Sequence, residues 1–299
     1  MKEKHPAYLD PNIIDRPDAE RMVENVCKSP PTKYDVIVGN HGTGKSALMC
    51  RLACRLPGIV YVDIPPCNSV DHVQVGFERA LEAALDWKVP GYSWSHVLLG
   101  KVIKTIQPRK DAPLCLFRLH ADGFCQESRA VEAEYRPMME DFKRAAARYR
   151  DHHSAYAVLI IDNTDEIAEN DPELLNMLQL EAKMAADSGL YKTIFVTSDG
   201  KAPEMMKGEL QQAAAYRDVL IICADQSAWS RGRDECRIGD LTDSEAMQYL
   251  KKRGILYDGE LLIQSCGTRI LTLKYASDAI IQKKIGIDGS FPILVSAGS

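Results

Sequence analysis

Gly39-Asn40-His41-Gly42-Thr43-Gly44-Lys45-Ser46 decides the fold of this 299-residue chain, because it fills every fixed position of the pattern G-x-x-x-x-G-K-[ST]. The apolar run Tyr34–Val38 precedes it, and helical spacing follows from Ser46 to Leu56, so the segment reads as strand, loop and helix. Glycines at 39, 42 and 44 let the backbone N–H groups approach phosphate oxygens, and the helix beginning near Lys45 turns its positive dipole end toward them. Asn40, His41 and Thr43 complete the expected phosphate cradle. Lys45 is expected on the β- and γ-phosphates, and Ser46 on Mg²⁺.

Downstream, Tyr156-Ala157-Val158-Leu159-Ile160-Ile161-Asp162 is an apolar strand that ends in aspartate, the pattern of a second, metal-holding strand beside the phosphate loop. Asp162 is the expected metal partner of Ser46. Many ATPases place a glutamate directly after this aspartate, but Asn163 stands there and acids return only at Asp165 and Glu166. Either of these could polarise the attacking water, or Asp165 could simply cap a turn. Ser198, at the end of the strand Thr193–Thr197, reads as a polar sensor of the γ-phosphate or as an ordinary strand-end hydroxyl. Arg217 ends a helix before the strand Val219–Cys223, where it is either an arginine finger for a neighbouring copy, which requires a homo-oligomer, or a surface arginine.

Between these motifs the chain alternates strands and helices. Ile59–Ile64 and Leu114–Leu119 read as strands; Val70–Trp87, Trp94–Ile106, Glu127–Tyr149 with Pro137 inside it, and Pro172–Asp187 read as helices. Near-continuously apolar strands of this length imply a parallel sheet covered on both faces, with ligands at the carboxyl ends of the strands. The expected fold is therefore an α/β P-loop NTPase with a parallel sheet sandwiched between helices. After Leu241 only helical patterns remain, at Asp243–Arg253, Gly259–Ser265 and Leu271–Lys284. Three parts result: a polar lead-in at 1–33, a core at 34–240 and a small helical lid at 241–299.

Composition narrows the function classes. Hydrophobic residues at 45% and charged residues at 26% describe an ordinary globular chain, and a net charge of −5 gives nucleic-acid binding no support. No apolar run approaches the ~18 residues of a membrane span, and no signal-peptide pattern opens the chain. Nine cysteines without a C-x-x-C pair read as reduced thiols, so a soluble protein of a reducing compartment is expected, with no metal beyond Mg²⁺. Asp151-His152-His153 reads as a solvated turn. The basic residues of the helix 127–150 are interspersed with Glu132, Glu134, Glu140 and Asp141, which favours a solvated face over a polyanion stripe.

On Ile14-Asp15-Arg16-Pro17, the loop G-N-H-G-T-G-K-S, the strand Val60-Tyr61-Val62-Asp63-Ile64, Leu241-Thr242-Asp243-Ser244-Glu245-Ala246 and Gly267-Thr268-Arg269, the chain resembles the NTPase module of Crinkler effectors, AAA+/STAND-like P-loop proteins. The expected ligand is ATP or another nucleoside triphosphate, and the resemblance implies that Arg269 either reaches the nucleotide as a second sensor or lies solvated on the lid. It also implies secretion, action in a host nucleus and a host protein partner. The translocation header and effector domain typical of that family are not recognisable in this sequence. Three functions stay open on the residues alone: an ATPase that uses Mg²⁺, a nucleotide-loaded interaction switch with negligible turnover, and a self-associating effector scaffold.

Overall fold

The computed structural model describes residues 14–66, 69–85, 126–198, 200–207, 231–232, 235–255 and 257–283. The expected helix Trp94–Ile106, the strands Leu114–Leu119 and Val219–Cys223, and the helix ending at Arg217 lie outside these residues. In chain order the described elements begin with α1 (Pro17–Lys28), β1 (Asp35–Val38), α2 (Lys45–Arg55), β2 (Ile59–Asp63) and α3 (Val70–Leu85). They continue with α4 (Gln126–His153), β3 (Ala157–Asp162), α5 (Thr164–Asn170), α6 (Pro172–Ser188), β4 (Tyr191–Thr197) and α7 (Lys201–Met206). The chain then forms β5 (Cys236–Arg237), α8 (Asp243–Lys252), α9 (Gly259–Cys266) and α10 (Ile270–Lys283).

The strands form one parallel sheet in the order β2-β3-β4-β1-β5. β4 therefore separates β1 from β3, and Asp162 approaches the phosphate loop across an intervening strand rather than from the neighbouring one. The pairing Val36↔Phe195 on one side and Leu159↔Thr193 on the other sets both flanking strands on β4.

Side chains alternate across a strand, so β1, β2, β3 and β4 each feed two cores. Val158 and Ile160 of β3, with Ile37 and Ile194, pack against Val23 and Cys27 of α1 and Leu48, Met49 and Leu52 of α2. Leu159 and Ile161, with Val36 and Phe195, face Phe77 of α3, Phe142 of α4 and Leu175 and Leu178 of α6. Each fully buried side chain of this kind contributes about 1.5–3 kcal/mol, enough for the two layers to hold the sheet between them. The result is the α/β P-loop NTPase architecture. A third cluster joins Leu241, Ala246, Tyr249, Leu250, Leu262, Leu273 and Ile280 into the helical C-terminal unit.

Local chemistry starts and stops these helices. Asp171 caps α6 by accepting from the Leu174 N–H, Pro172 occupies its first turn, and Gly189 ends it in the left-handed region. Thr242 and Glu245 form a reciprocal capping box at α8. α4 runs unbroken through Pro137, with His152 and His153 exposed in its last turn rather than in a loop.

The N-terminal segment is more integrated than its polar sequence suggests. α1 covers the sheet, and Ile14 packs into the C-terminal helical cluster. Arg16, only 8% exposed, ties the two together. Its guanidinium donates to Thr43 O at 2.9 Å, Gly239 O at 3.1 Å and Asp240 O at 3.1 Å, with Glu245 at 3.8 Å. The loop at Thr43, the segment after β5 and the first turn of α8 thus share one cation. Among the described residues, no helix is long and apolar enough to cross a membrane.

Candidate phosphate-binding site

The loop 39–46 connects β1 to α2 and opens onto a cavity of about 280 Å³. His41, Gly42, Gly44, Lys45 and Ser46 line it from the loop and the first turn of α2. Gly39, Asn40 and Thr43 shape it from behind: Thr43 Oγ1 donates to Asn40 O at 3.0 Å, and Thr43 itself is buried. No side chain caps α2, whose N-cap is Gly44 in the left-handed region. The first-turn N–H groups of a helix lack intrahelical partners, and here they meet the cavity, an arrangement suited to an anion.

Two glycines leave no alternative residue. A Cβ at Gly39 would lie 2.1 Å from Ile238 O, and one at Gly42, which has φ +82°, would lie 2.5 Å from Leu271 Cβ. The second contact shows what closes the loop: Leu271 N donates to Gly42 O at 3.2 Å, so the start of α10 rests on the loop backbone. Lys45 Nζ donates to Gly39 O at 2.5 Å and Asn40 O at 3.1 Å, folded along the loop it belongs to.

Asp162 enters the cavity from the end of β3 and is 1% exposed. Burial raises its pKa; hydrogen bonds from the Tyr61 and Ser46 hydroxyls and the Asn163 N–H oppose that rise, and the charge of Asp63 adds to it. The Tyr61 hydroxyl donates to Oδ2 at 2.6 Å, and burial beside this carboxylate pushes the phenol pKa upward. A serine hydroxyl and a carboxylate in contact form an all-oxygen donor pair, which fits a hard divalent cation such as Mg²⁺.

Asn163 lies on the cavity wall in the left-handed region at φ 59°, a conformation asparagine tolerates. Its amide donates to Asp63 Oδ1 at 2.8 Å and Ile64 O at 3.2 Å, tying the ends of β2 and β3 together. Asp165 also lines the cavity, but three donors engage its carboxylate. These are Thr197 Oγ1, Ser198 N and Ser198 Oγ, each at 2.6 Å. Asp165 thereby braces α5 against the end of β4, and Ser198 is brought to the cavity through it.

The remaining expected residues fall elsewhere. Glu166 is in the first turn of α5 and is not part of the cavity wall. Arg269 pairs with Asp240 at 3.1 Å and does not line the cavity. Arg217 lies outside the described residues. Tyr61, Asp63, Thr197, Leu271 and Arg16 were not singled out as site residues by sequence reasoning. Their partners are between 27 and more than 200 positions away, so no local spacing marks them.

No protein-family model matches the chain, and no curated protein matches it. Solved structures similar to it include a Walker-type ATPase of Pyrococcus abyssi, at 13% identity and TM-score 0.49, covering 94% of this chain and 71% of that one. Cdc6p of Pyrobaculum aerophilum matches at 11% identity and TM-score 0.48, covering 93% and 65%. The ORC2 protein of Aeropyrum pernix, solved with ADPNP and ADP, matches at 11% identity and TM-score 0.49, covering 94% and 67%. At such identities and TM-scores, the case for a nucleotide site stands on this chain's own residues.

Proposed function

We propose that the chain binds a nucleoside triphosphate, with ATP preferred, and hydrolyses it slowly with Mg²⁺. The observation that carries this reading is the convergence of Lys45, Ser46 and Asp162 on the cavity at the uncapped start of α2. Phosphate oxygens accept from the loop N–H groups. Lys45 leaves its carbonyl partners to neutralise the β- and γ-phosphates. Ser46 and Asp162 hold Mg²⁺, which when bound supplies charge neutralisation on the phosphates. Asp165 keeps Ser198 and Thr197 in place at the γ-phosphate end of the cavity. Glu166 and Arg269 would join only after a rearrangement of α5 or of the Asp240 pair.

The test is phosphate release from Mg-ATP, run beside Lys45→Ala. Removing one charge-assisted contact of this kind costs about 3 kcal/mol, so the variant should bind Mg-ATP roughly a hundredfold more weakly and lose turnover. Turnover that persists in Lys45→Ala would refute the assignment of this loop.

A second reading is a nucleotide-loaded switch, favoured by Asn163 standing where a carboxylate would activate water. It predicts that purified protein retains nucleotide without releasing phosphate. The finer reading, a Crinkler-like effector module with a host partner, rests on the motif resemblance alone. Expression in a host cell with nuclear imaging would test it. Assembly through Arg217 would appear as a change in mass on adding Mg-ATP that Arg217→Ala abolishes.

A further inference from the structure

β2 and β3 pair in parallel with Asp63 opposite Asp162, so two acidic residues end adjacent strands, and Asp162 lines the cavity. They are treated differently. Asp162 is buried against Tyr61 and lines the cavity, whereas Asp63 is turned to the amide of Asn163. Both Asn163 Nδ2 donations are spent away from the cavity, one on Asp63 Oδ1 and one on Ile64 O. With both nitrogen donations engaged, Oδ1 is the amide atom left to accept a further hydrogen bond. Asn163 Oδ1 accepts no hydrogen bond among the described residues, and Asn163 lines the cavity.

We propose that Asp63 is a positioning residue for hydrolysis: by accepting from Asn163 Nδ2 it fixes the amide so that Asn163 Oδ1 orients the water attacking the γ-phosphate. This deepens the phosphohydrolase reading and rests on it. The water oxygen forms a bond to the γ-phosphorus, and the bond from that phosphorus to the β,γ-bridging oxygen breaks with the diphosphate leaving. An amide oxygen accepts a hydrogen bond but is too weak a base to keep a proton. The proton of the water therefore passes to a γ-phosphate oxygen. The carboxylate on β2 and the amide on β3 thus make an orienting pair without a general base, which sets a slow chemical step after ordinary binding.

The experiment measures nucleotide affinity with a fluorescent ATP analogue and single-turnover hydrolysis in the full chain. With Asp63→Ala, affinity should stay within about threefold of the unaltered chain. The single-turnover rate should fall by about tenfold to a hundredfold, the scale of losing orientation at a reacting atom. Asp63→Asn, whose amide oxygen can accept the same bond, should recover most of that loss. The exchange Asp63→Asn with Asn163→Asp should rebuild the bond with the carboxylate on β3 and hydrolyse faster than Asp63→Ala. An Asp63→Ala chain that binds normally and hydrolyses at the unaltered rate overturns the role of Asp63 and leaves the phosphohydrolase reading intact. Absence of any Lys45-dependent turnover overturns both.

Discussion

Replacing Arg16 with alanine removes a cation that three carbonyl groups from two places in the chain share. Its bond to Thr43 O is buried, and a charge-assisted bond of this kind contributes about 1.5–3 kcal/mol. The bonds to Gly239 O and Asp240 O are part-buried and add about 1 kcal/mol each. The sum, ~3–5 kcal/mol, is a large share of the ~5–15 kcal/mol that holds a typical domain folded. At about 2–4 °C per kcal/mol for a chain of this size, the midpoint should fall by roughly 6–20 °C in thermal unfolding followed by circular dichroism. Arg16→Lys should recover less than half of the loss, because a single ammonium cannot span acceptors that the planar fork bridges. Mg-ATP affinity should fall with it, since the loop carbonyl at Thr43 loses its anchor. A midpoint for Arg16→Ala within about 2 °C of the unaltered chain would refute the reasoning, because it would mean that water replaces all three bonds without cost.

Gly42→Ala combines an unfavourable φ of +82° with a 2.5 Å approach to Leu271 Cβ, so it should push α10 off the loop. A cost of about 1–3 kcal/mol is expected, and faster proteolysis between α9 and α10 would check it. Burial pushes the Cys27 thiol up to about 11 and the Cys50 thiol up to about 12, while Cys54 is exposed. At pH 8 iodoacetamide should label Cys54 and spare Cys27 and Cys50. Because the raised values keep those two thiols protonated, labelling should stay low until pH nears 11, and site-resolved mass spectrometry reads the outcome.

The strand, loop and helix around residues 39–46 were legible in the sequence because their signal is local: eight consecutive residues carry the glycines, the lysine and the hydroxyl. The strand ending at Asp162 was legible for the same reason, as six apolar residues before an acid. What surrounds Asp162 was not. Tyr61 and Asp63 lie about a hundred positions upstream of Asp162 and Asn163, and only the pairing of β2 with β3 brings them together. Sheet order is likewise absent from periodicity, so nothing in the apolar pattern announced that β4 separates the two motifs. Residues 1–33 read as a polar lead-in, but Val23 and Cys27 pack into one core and Ile14 into another. Sequence marked Asp165 as acidic near the site; the three donors that hold it come from Thr197 at the end of β4 and Ser198 just after it, on the far side of α6 in the chain.

Lys45, held on Gly39 O and Asn40 O, makes affinity a competition rather than a simple gain. Any ligand must first outbid two carbonyl groups of the protein itself for the same ammonium. On the proposed function, a triphosphate would bring several anionic oxygens to that exchange, whereas a nucleoside monophosphate has no oxygen at the β or γ position to offer. Such a loop would select for phosphate chain length through this exchange, and a ladder of AMP, ADP and ATP affinities should rise in steps governed by how fully each ligand can replace the carbonyl groups.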